Sequence, residues 1–245
     1  MSSHTQRTAT NDRGEPRPWP WVVARWVAEL RKGPALHPHG VTGAATLEVH
    51  ANEQWWGEPW LDRPGRYPAL VRWSRAAGLP GRLPDGLGLA VRVVDAGGPG
   101  RPLDLLFTTS GGGRWMRHVP LPRRHALAGP YSTLLAYQVG DRPRVLAAAP
   151  SADAPAVRSD LDALRTALRH TPLSFELCAA GPREPWRRFA TLTTHSTQGT
   201  PPEAVPAYDP YLNHLPRLHP TPRLSGLREA AYRGSRTGRG ARPHR

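Results

Sequence analysis

The sequence predicts an α+β domain built on an antiparallel β-barrel with flanking helices. Three observations support this fold class. At least six short apolar segments are separated by turns rich in glycine and proline, as in barrels and sandwiches. Segments with helical apolar spacing stand before and among these strands. The length of 245 residues suits one barrel domain with a sizeable core, and no internal repeat is visible.

Four segments before residue 200 are predicted to be helical. Residues 21–30 carry an apolar residue every four positions, and residues 160–170 carry a leucine stripe on one face. We also predict a short helical turn over 53–60 and a helix over 123–137. These helices would flank the barrel.

The strand predictions follow from short apolar runs bounded by turn residues. They cover 44–50, 68–74, 87–94, 103–109, 173–178 and 189–194. Side chains alternate across a strand, so Arg72 and Ser74 should share one face with Leu70. Val71 and Trp73 should face the other way.

The domain organisation is predicted from composition. Residues 1–18 are expected to form a flexible leader, 19–236 the folded domain and 237–245 a disordered basic tail. Within the domain, 147–157 is predicted to be a small-residue linker and 198–222 an extended surface segment. Cys178 is the single cysteine, which excludes an intrachain disulfide and a cysteine metal cluster.

The net charge of +14 raises the question of nucleic-acid binding. Lys32 is the single lysine, and arginine, alanine, glycine and proline are all abundant, which indicates a general compositional bias. Nucleic acid is therefore not the expected partner. No apolar run reaches 18 residues, so no membrane span is predicted, and the first residues lack the apolar stretch of a secretory signal. The expected location is the cytoplasm.

Arg228 and Tyr232 are spaced i, i+4, which places both side chains on one face of a helix. A neighbouring guanidinium favours the phenolate over the phenol. A phenolate is a hard anionic oxygen of the kind that binds ferric iron. The motif is weak by itself, because an ordinary amphipathic terminal helix has the same spacing.

Five segments, in order along the chain, resemble the haem catalases. They are the distal-histidine segment 36–49, the strand Val-Arg-Trp-Ser within 67–75, Asp-Gly-Leu-Gly-Leu-Ala-Val-Arg-Val over 85–93, Leu-Asp-Leu-Leu-Phe-Thr-Thr-Ser over 103–110, and the arginine-to-tyrosine run within 226–232. The chain is much shorter than a typical catalase and is expected to lack the catalase C-terminal helical domain. It therefore most resembles the small catalase-related haem proteins.

The resemblance implies a haem b cofactor and a role for each matching residue. His37 would be the distal histidine, and Ser74 would hydrogen-bond the back of its imidazole. Arg72 would bind a haem propionate. Tyr232 would be the proximal iron ligand, with Arg228 as its charge partner, since tyrosine is the axial ligand of catalase haem.

Thr108 departs from the family pattern, because catalases have an asparagine there to orient peroxide on the distal side. A threonine hydroxyl is shorter and offers no planar amide. The resemblance with this departure implies a haem peroxidase that uses peroxide and a small-molecule reductant, with His37 as general base and then general acid. Fast catalase turnover is less expected.

Other functions remain open from the sequence. One is a fatty-acid hydroperoxide isomerase or lyase, as some catalase relatives are. Another is a non-enzymatic haem-binding scaffold, or one that binds nucleic acid through the arginine-rich tail. A zinc pair of His37 and His39 would need further ligands, and none has suitable spacing. A homodimer is compatible with all of these.

Overall fold

The computed structural model describes residues 40–51, 55–75, 84–195 and 207–221 of the chain. The predicted helix 21–30, the leader, the tail, His37, Arg228 and Tyr232 lie outside the described residues, and their predictions stay predictions.

Ten strands, two helices and one 3-10 turn make up the described part of the chain. The strands are β1 Gly40–Val49, β2 Gly65–Arg75, β3 Leu87–Val93, β4 Leu103–Thr109, β5 Tyr131–Ser132, β6 Tyr137–Val139, β7 Arg142–Pro150, β8 Ser174–Ala180, β9 Arg187–Thr194 and β10 Leu218–Pro220. The helices are α1 Pro59–Asp62 and α2 Leu161–His170, and the 3-10 turn is Met116–His118.

Eight of these strands close into an antiparallel barrel in the order β1-β2-β3-β4-β5-β7-β8-β9, with β9 pairing back to β1. Closure removes the exposed sheet edges that would otherwise need protection. β6 pairs with the first residues of β7 and with β10, forming a small ribbon beside the barrel. The predicted fold class is confirmed.

The barrel interior is filled by the apolar residues that alternate along each strand. Trp73, Phe107 and Phe175 are almost fully buried there, and the rings of Trp73 and Phe175 lie 6.0 Å apart. Val71 points inward with Trp73, whereas Arg72 and Ser74 lie on the outer face. The predicted division of faces along this strand is confirmed.

Two secondary-structure predictions were wrong, and one was misplaced. Residues 123–137 form no helix, because this segment contributes β5 and the start of β6. The linker predicted over 147–157 begins inside β7, where residues from Val145 to Ala148 are buried on both faces and so show no alternation. The short helix lies at Pro59–Asp62 instead of 53–60, because Pro59 suits a first helical turn and Glu58 caps it by accepting from the Trp60 N–H at 3.2 Å.

α2 confirms the second helix prediction. Asp160 caps it by accepting from the Ala163 N–H at 2.8 Å, and Leu164 and Leu168 are buried against the barrel. Neither α1 nor α2 is long and apolar enough to cross a membrane, and the same holds for every helix in the described ranges.

Gly140 in the β6–β7 turn is predicted to be irreplaceable. It adopts φ +59, and a Cβ there would lie 1.9 Å from the Trp56 carbonyl oxygen. Gly140→Ala should therefore lower the free energy of unfolding by at least about 2 kcal/mol, since left-handed strain and a backbone clash add. Gly100→Ala is the matched control, because Gly100 has φ +69 with nothing within 4 Å of a Cβ. Chemical denaturation should show a loss of about 1 kcal/mol for that variant; equal losses would contradict the clash.

Candidate functional site

The outer face of the β2–β3–β4 sheet carries a row of small polar residues. Strand register places Ser74 beside Gly88, and Gly88 beside Thr108. Neighbouring strands lie about 4.8 Å apart, so Ser74 and Thr108 are about 10 Å apart with a flat glycine floor between them. Both hydroxyl residues are buried although they lie outside the barrel. Their burial means that other parts of the molecule cover this row.

Arg72 lies in the next row down, between Thr42 and Ala90. Its guanidinium lies directly over Gly40. A Cβ on Gly40 would come within 2.7 Å of Arg72 Nε and 2.8 Å of Arg72 Nη2. Burial lowers the pKa of Arg72, and Tyr208 partly offsets this. A half-buried guanidinium on an apolar wall favours an anionic ligand.

Asp104 fastens the chain segment 207–213 to the outer face of β3 and β4. Its carboxylate accepts from Arg92 Nε at 2.7 Å and Nη2 at 2.6 Å, in a bidentate pair. It also accepts from the Asp209 backbone N–H at 2.8 Å and from Asn213 Nδ2 at 2.7 Å. The side chain is fully buried, so these donors replace its hydration. This network fixes the position of Tyr208.

Tyr208 covers Ala90 and Leu106, and so lies against the same wall as Arg72. The Arg92 guanidinium lies 5.3 Å from its ring centre. Burial raises the pKa of Tyr208 to about 12, so it is a neutral phenol at physiological pH. Its hydroxyl has no hydrogen-bond partner among the described residues.

A tight loop over 111–119 closes the end of the row beyond Thr108. Ser132 pairs with Thr108 and donates its hydroxyl to the Arg117 carbonyl. Arg117 is buried, and its guanidinium carbon lies 4.4 Å from the centre of the Trp186 ring. Its Nε and Nη1 have no hydrogen-bond acceptor in the described part of the chain. Burial and the neighbouring Arg114 lower the pKa of Arg117. This end of the wall is therefore electropositive.

The structure brings together three of the predicted site residues, Ser74, Arg72 and Thr108, on one outer face. Sequence reasoning did not single out Arg92, Asp104 or Tyr208. An opposite charge pair in two otherwise apolar strands was the signal available for Arg92 and Asp104. Nothing in the sequence pattern marks Tyr208.

Solved structures that resemble this chain include catalases. Catalase A from Saccharomyces cerevisiae matches with a TM-score of 0.60 at 12% identity, covering 96% of this chain and 67% of that one. A fungal catalase matches with the same TM-score and identity, covering 98% of this chain and 67% of its own. The barrel has the catalase fold. No protein-family model matches the sequence, and no curated protein matches it in sequence.

The residues of this wall have the chemistry to meet a flat ligand that carries a carboxylate. Gly40 leaves the space that the Arg72 guanidinium fills, and Gly88 presents no side chain between Ser74 and Thr108. Arg72 supplies a cation for a carboxylate, and the unpaired hydroxyl of Tyr208 adds a donor on the same wall. Among the described residues no group of three histidine, cysteine, aspartate or glutamate side chains could hold a metal ion.

Proposed function

We propose that this protein binds haem b against the outer face of β2–β4 and reduces peroxides with electrons from a small organic donor. The row of Ser74, Gly88 and Thr108 beside the half-buried Arg72, on a barrel with the catalase fold, is the observation that supports this most. The sequence adds His37 upstream and the Arg228–Tyr232 pair downstream.

Three residues would hold the cofactor. Arg72 binds a propionate, for which its guanidinium is already partly desolvated. Tyr232 supplies the phenolate ligand to iron, and Arg228, one helical turn earlier, favours the ionised phenol. Haem bound in this way supplies a ferric centre that accepts the oxidising equivalents of peroxide.

His37 would transfer a proton between the two oxygens of the peroxide. It precedes Gly40 by three residues, and Gly40 pairs with Ser74 in the β1–β2 ladder. Three residues of chain span at most about 11 Å, a reach that would allow the His37 ring to meet Ser74. Ser74 would accept from or donate to one imidazole nitrogen and orient the ring. The other nitrogen takes the proton from one peroxide oxygen and returns it to the other, so that the O–O bond breaks and water leaves.

Thr108 would face the peroxide with one hydroxyl. The full reaction consumes two electrons and two protons for each hydrogen peroxide and gives two waters. The electrons would come from the organic reductant. We propose peroxidase chemistry instead of disproportionation because Thr108 stands where catalases have an asparagine. Organic hydroperoxides are substrates of the same chemistry, with an alcohol in place of one water.

Tyr232→Phe tests the ligand. The full chain reconstituted with hemin should show a ferric Soret band with charge-transfer features of phenolate ligation, and the variant should lose those features. Tyr67→Phe is the matched control, because the Tyr67 ring packs on the Trp60 ring, with 5.3 Å between ring centres, and does not lie on this wall. The spectrum of this variant should equal that of the wild type. Identical spectra for wild type and Tyr232→Phe would refute the ligand assignment.

The same preparation separates the alternatives. Protein that takes up hemin but isomerises a fatty-acid hydroperoxide without consuming a reductant would be a hydroperoxide isomerase or lyase. Protein that takes up hemin and reacts with neither peroxide would be a haem-binding scaffold.

A further inference from the structure

Residues 214–219 form a tight hairpin just after the segment that Asp104 fastens. Leu215 and Leu218 exchange both backbone hydrogen bonds, at 3.1 and 3.2 Å, around a two-residue turn. Both leucines are buried. His214 and His219 are the next residues outward on each side. They therefore form a non-hydrogen-bonded pair on the opposite face, where side chains across an antiparallel ladder approach most closely.

The tautomer of both imidazoles is set by the backbone. His214 Nδ1 lies 3.1 Å from the Leu215 carbonyl oxygen, and His219 Nδ1 lies 3.1 Å from the Pro220 carbonyl oxygen. A carbonyl oxygen can only accept, so each Nδ1 carries the proton. In the neutral rings each Nε2 then presents a lone pair. Metal-binding histidines are usually oriented by such a bond from the other nitrogen.

The distance between the rings matches one shared ion. The ring centres lie 5.7 Å apart with their planes inclined by 61°. Metal–nitrogen bonds of about 2.0–2.1 Å place the ring centres about 5 Å apart on a tetrahedral ion. A small opening of the N–metal–N angle, or a small side-chain rotation, accounts for the difference. His214 is exposed and His219 half-buried, so an ion can reach the pair from solvent.

The chemistry of the pair selects the metal. Imidazole nitrogens favour copper, nickel and zinc, whereas magnesium and calcium require oxygen ligands. Among the described residues no third histidine, cysteine or acid completes a cluster here, so water would fill the remaining positions. Two carboxylates that contact this hairpin are already engaged: Glu58 accepts from the Arg217 N–H at 2.9 Å, and Asp141 accepts from the Arg217 guanidinium at 3.4 Å.

We propose that His214 and His219 form a two-histidine site for a late first-row divalent metal ion, bound through both Nε2 atoms and strongest for Cu²⁺. The site is separate from the proposed haem wall and does not depend on haem binding. Each imidazole contributes one bond, so losing either one should weaken binding severely.

Titration calorimetry of the full chain, stripped with EDTA and placed in a non-chelating buffer, tests this site with Cu²⁺ and Zn²⁺. His214→Gln and His219→Gln should each weaken the tightest site at least tenfold. His195→Gln is the matched control, because His195 bonds Thr46 on the barrel at 2.7 Å, and it should bind as wild type does. Mg²⁺ should give no heat in any of them.

Wild-type affinity in both hairpin variants would overturn the proposal, as would an equal loss in His195→Gln. A second measurement uses only the wild type, so it remains decisive if a variant fails to fold. Zn²⁺ should shift the imidazole resonances of His214 and His219 together at one equivalent. Shifts confined to other histidines would overturn the proposal as well.

Discussion

Replacing Asp104 with leucine is expected to lower the free energy of unfolding by about 3–5 kcal/mol, because it removes one partner of a buried ion pair. Arg92 would keep its charge on a wall where the carboxylate now neutralises it through two short hydrogen bonds. The Asp209 N–H and Asn213 Nδ2 would lose the same acceptor. Urea denaturation measures the loss directly.

Two companion variants separate charge from packing. Asp104→Asn keeps an acceptor but not the charge, and should cost less than Asp104→Leu. The double variant Asp104→Leu with Arg92→Leu removes both charges and should recover part of the stability, because no buried charge is left unpaired. If the double variant is as unstable as the sum of the Asp104→Leu and Arg92→Leu single variants, Asp104 and Arg92 do not stabilise the fold as a pair.

His37→Gln should slow the reaction with peroxide by a factor of about 10²–10⁴, the contribution expected of a positioned acid–base group. The proposed haem would remain bound, since its assigned ligand and propionate partner are Tyr232 and Arg72. Stopped-flow absorbance of the reconstituted protein with hydrogen peroxide measures the rate, and the Soret intensity before mixing checks cofactor retention.

His39→Gln is the matched control, because it removes an imidazole two residues away in the same segment. It should leave the rate within a few-fold of wild type. A large loss in His39→Gln with none in His37→Gln would transfer the acid–base role to His39. Unchanged rates in both variants would refute a distal histidine in this segment.

The stability of the wall bears on function because the same segment carries Tyr208 and continues towards Tyr232. Asp104 holds that segment on β3 and β4, one row from Arg72. A variant that loosens residues 207–213 should therefore disturb Tyr208 and the surroundings of Arg72 together. The fold and the proposed cofactor site share one buried ion pair.

The sequence by itself determined the elements whose pattern is local. Alternation along 68–74 placed Arg72 and Ser74 on one face, and the leucine stripe of 160–170 predicted α2. Both follow from the fixed periods of strand and helix. The short apolar segments between turns, with helical segments before and among them, predicted the barrel, which the structure confirms.

Tertiary structure alone decided the rest. The run in β7 is buried on both faces, and β5 is only two residues long, so neither carries a periodic signal. Residues far apart in the chain close the barrel, bring Ser74 and Thr108 onto one face and fix the position of Tyr208. Their energies come from pairings that no local window contains, and so only the folded chain reveals them.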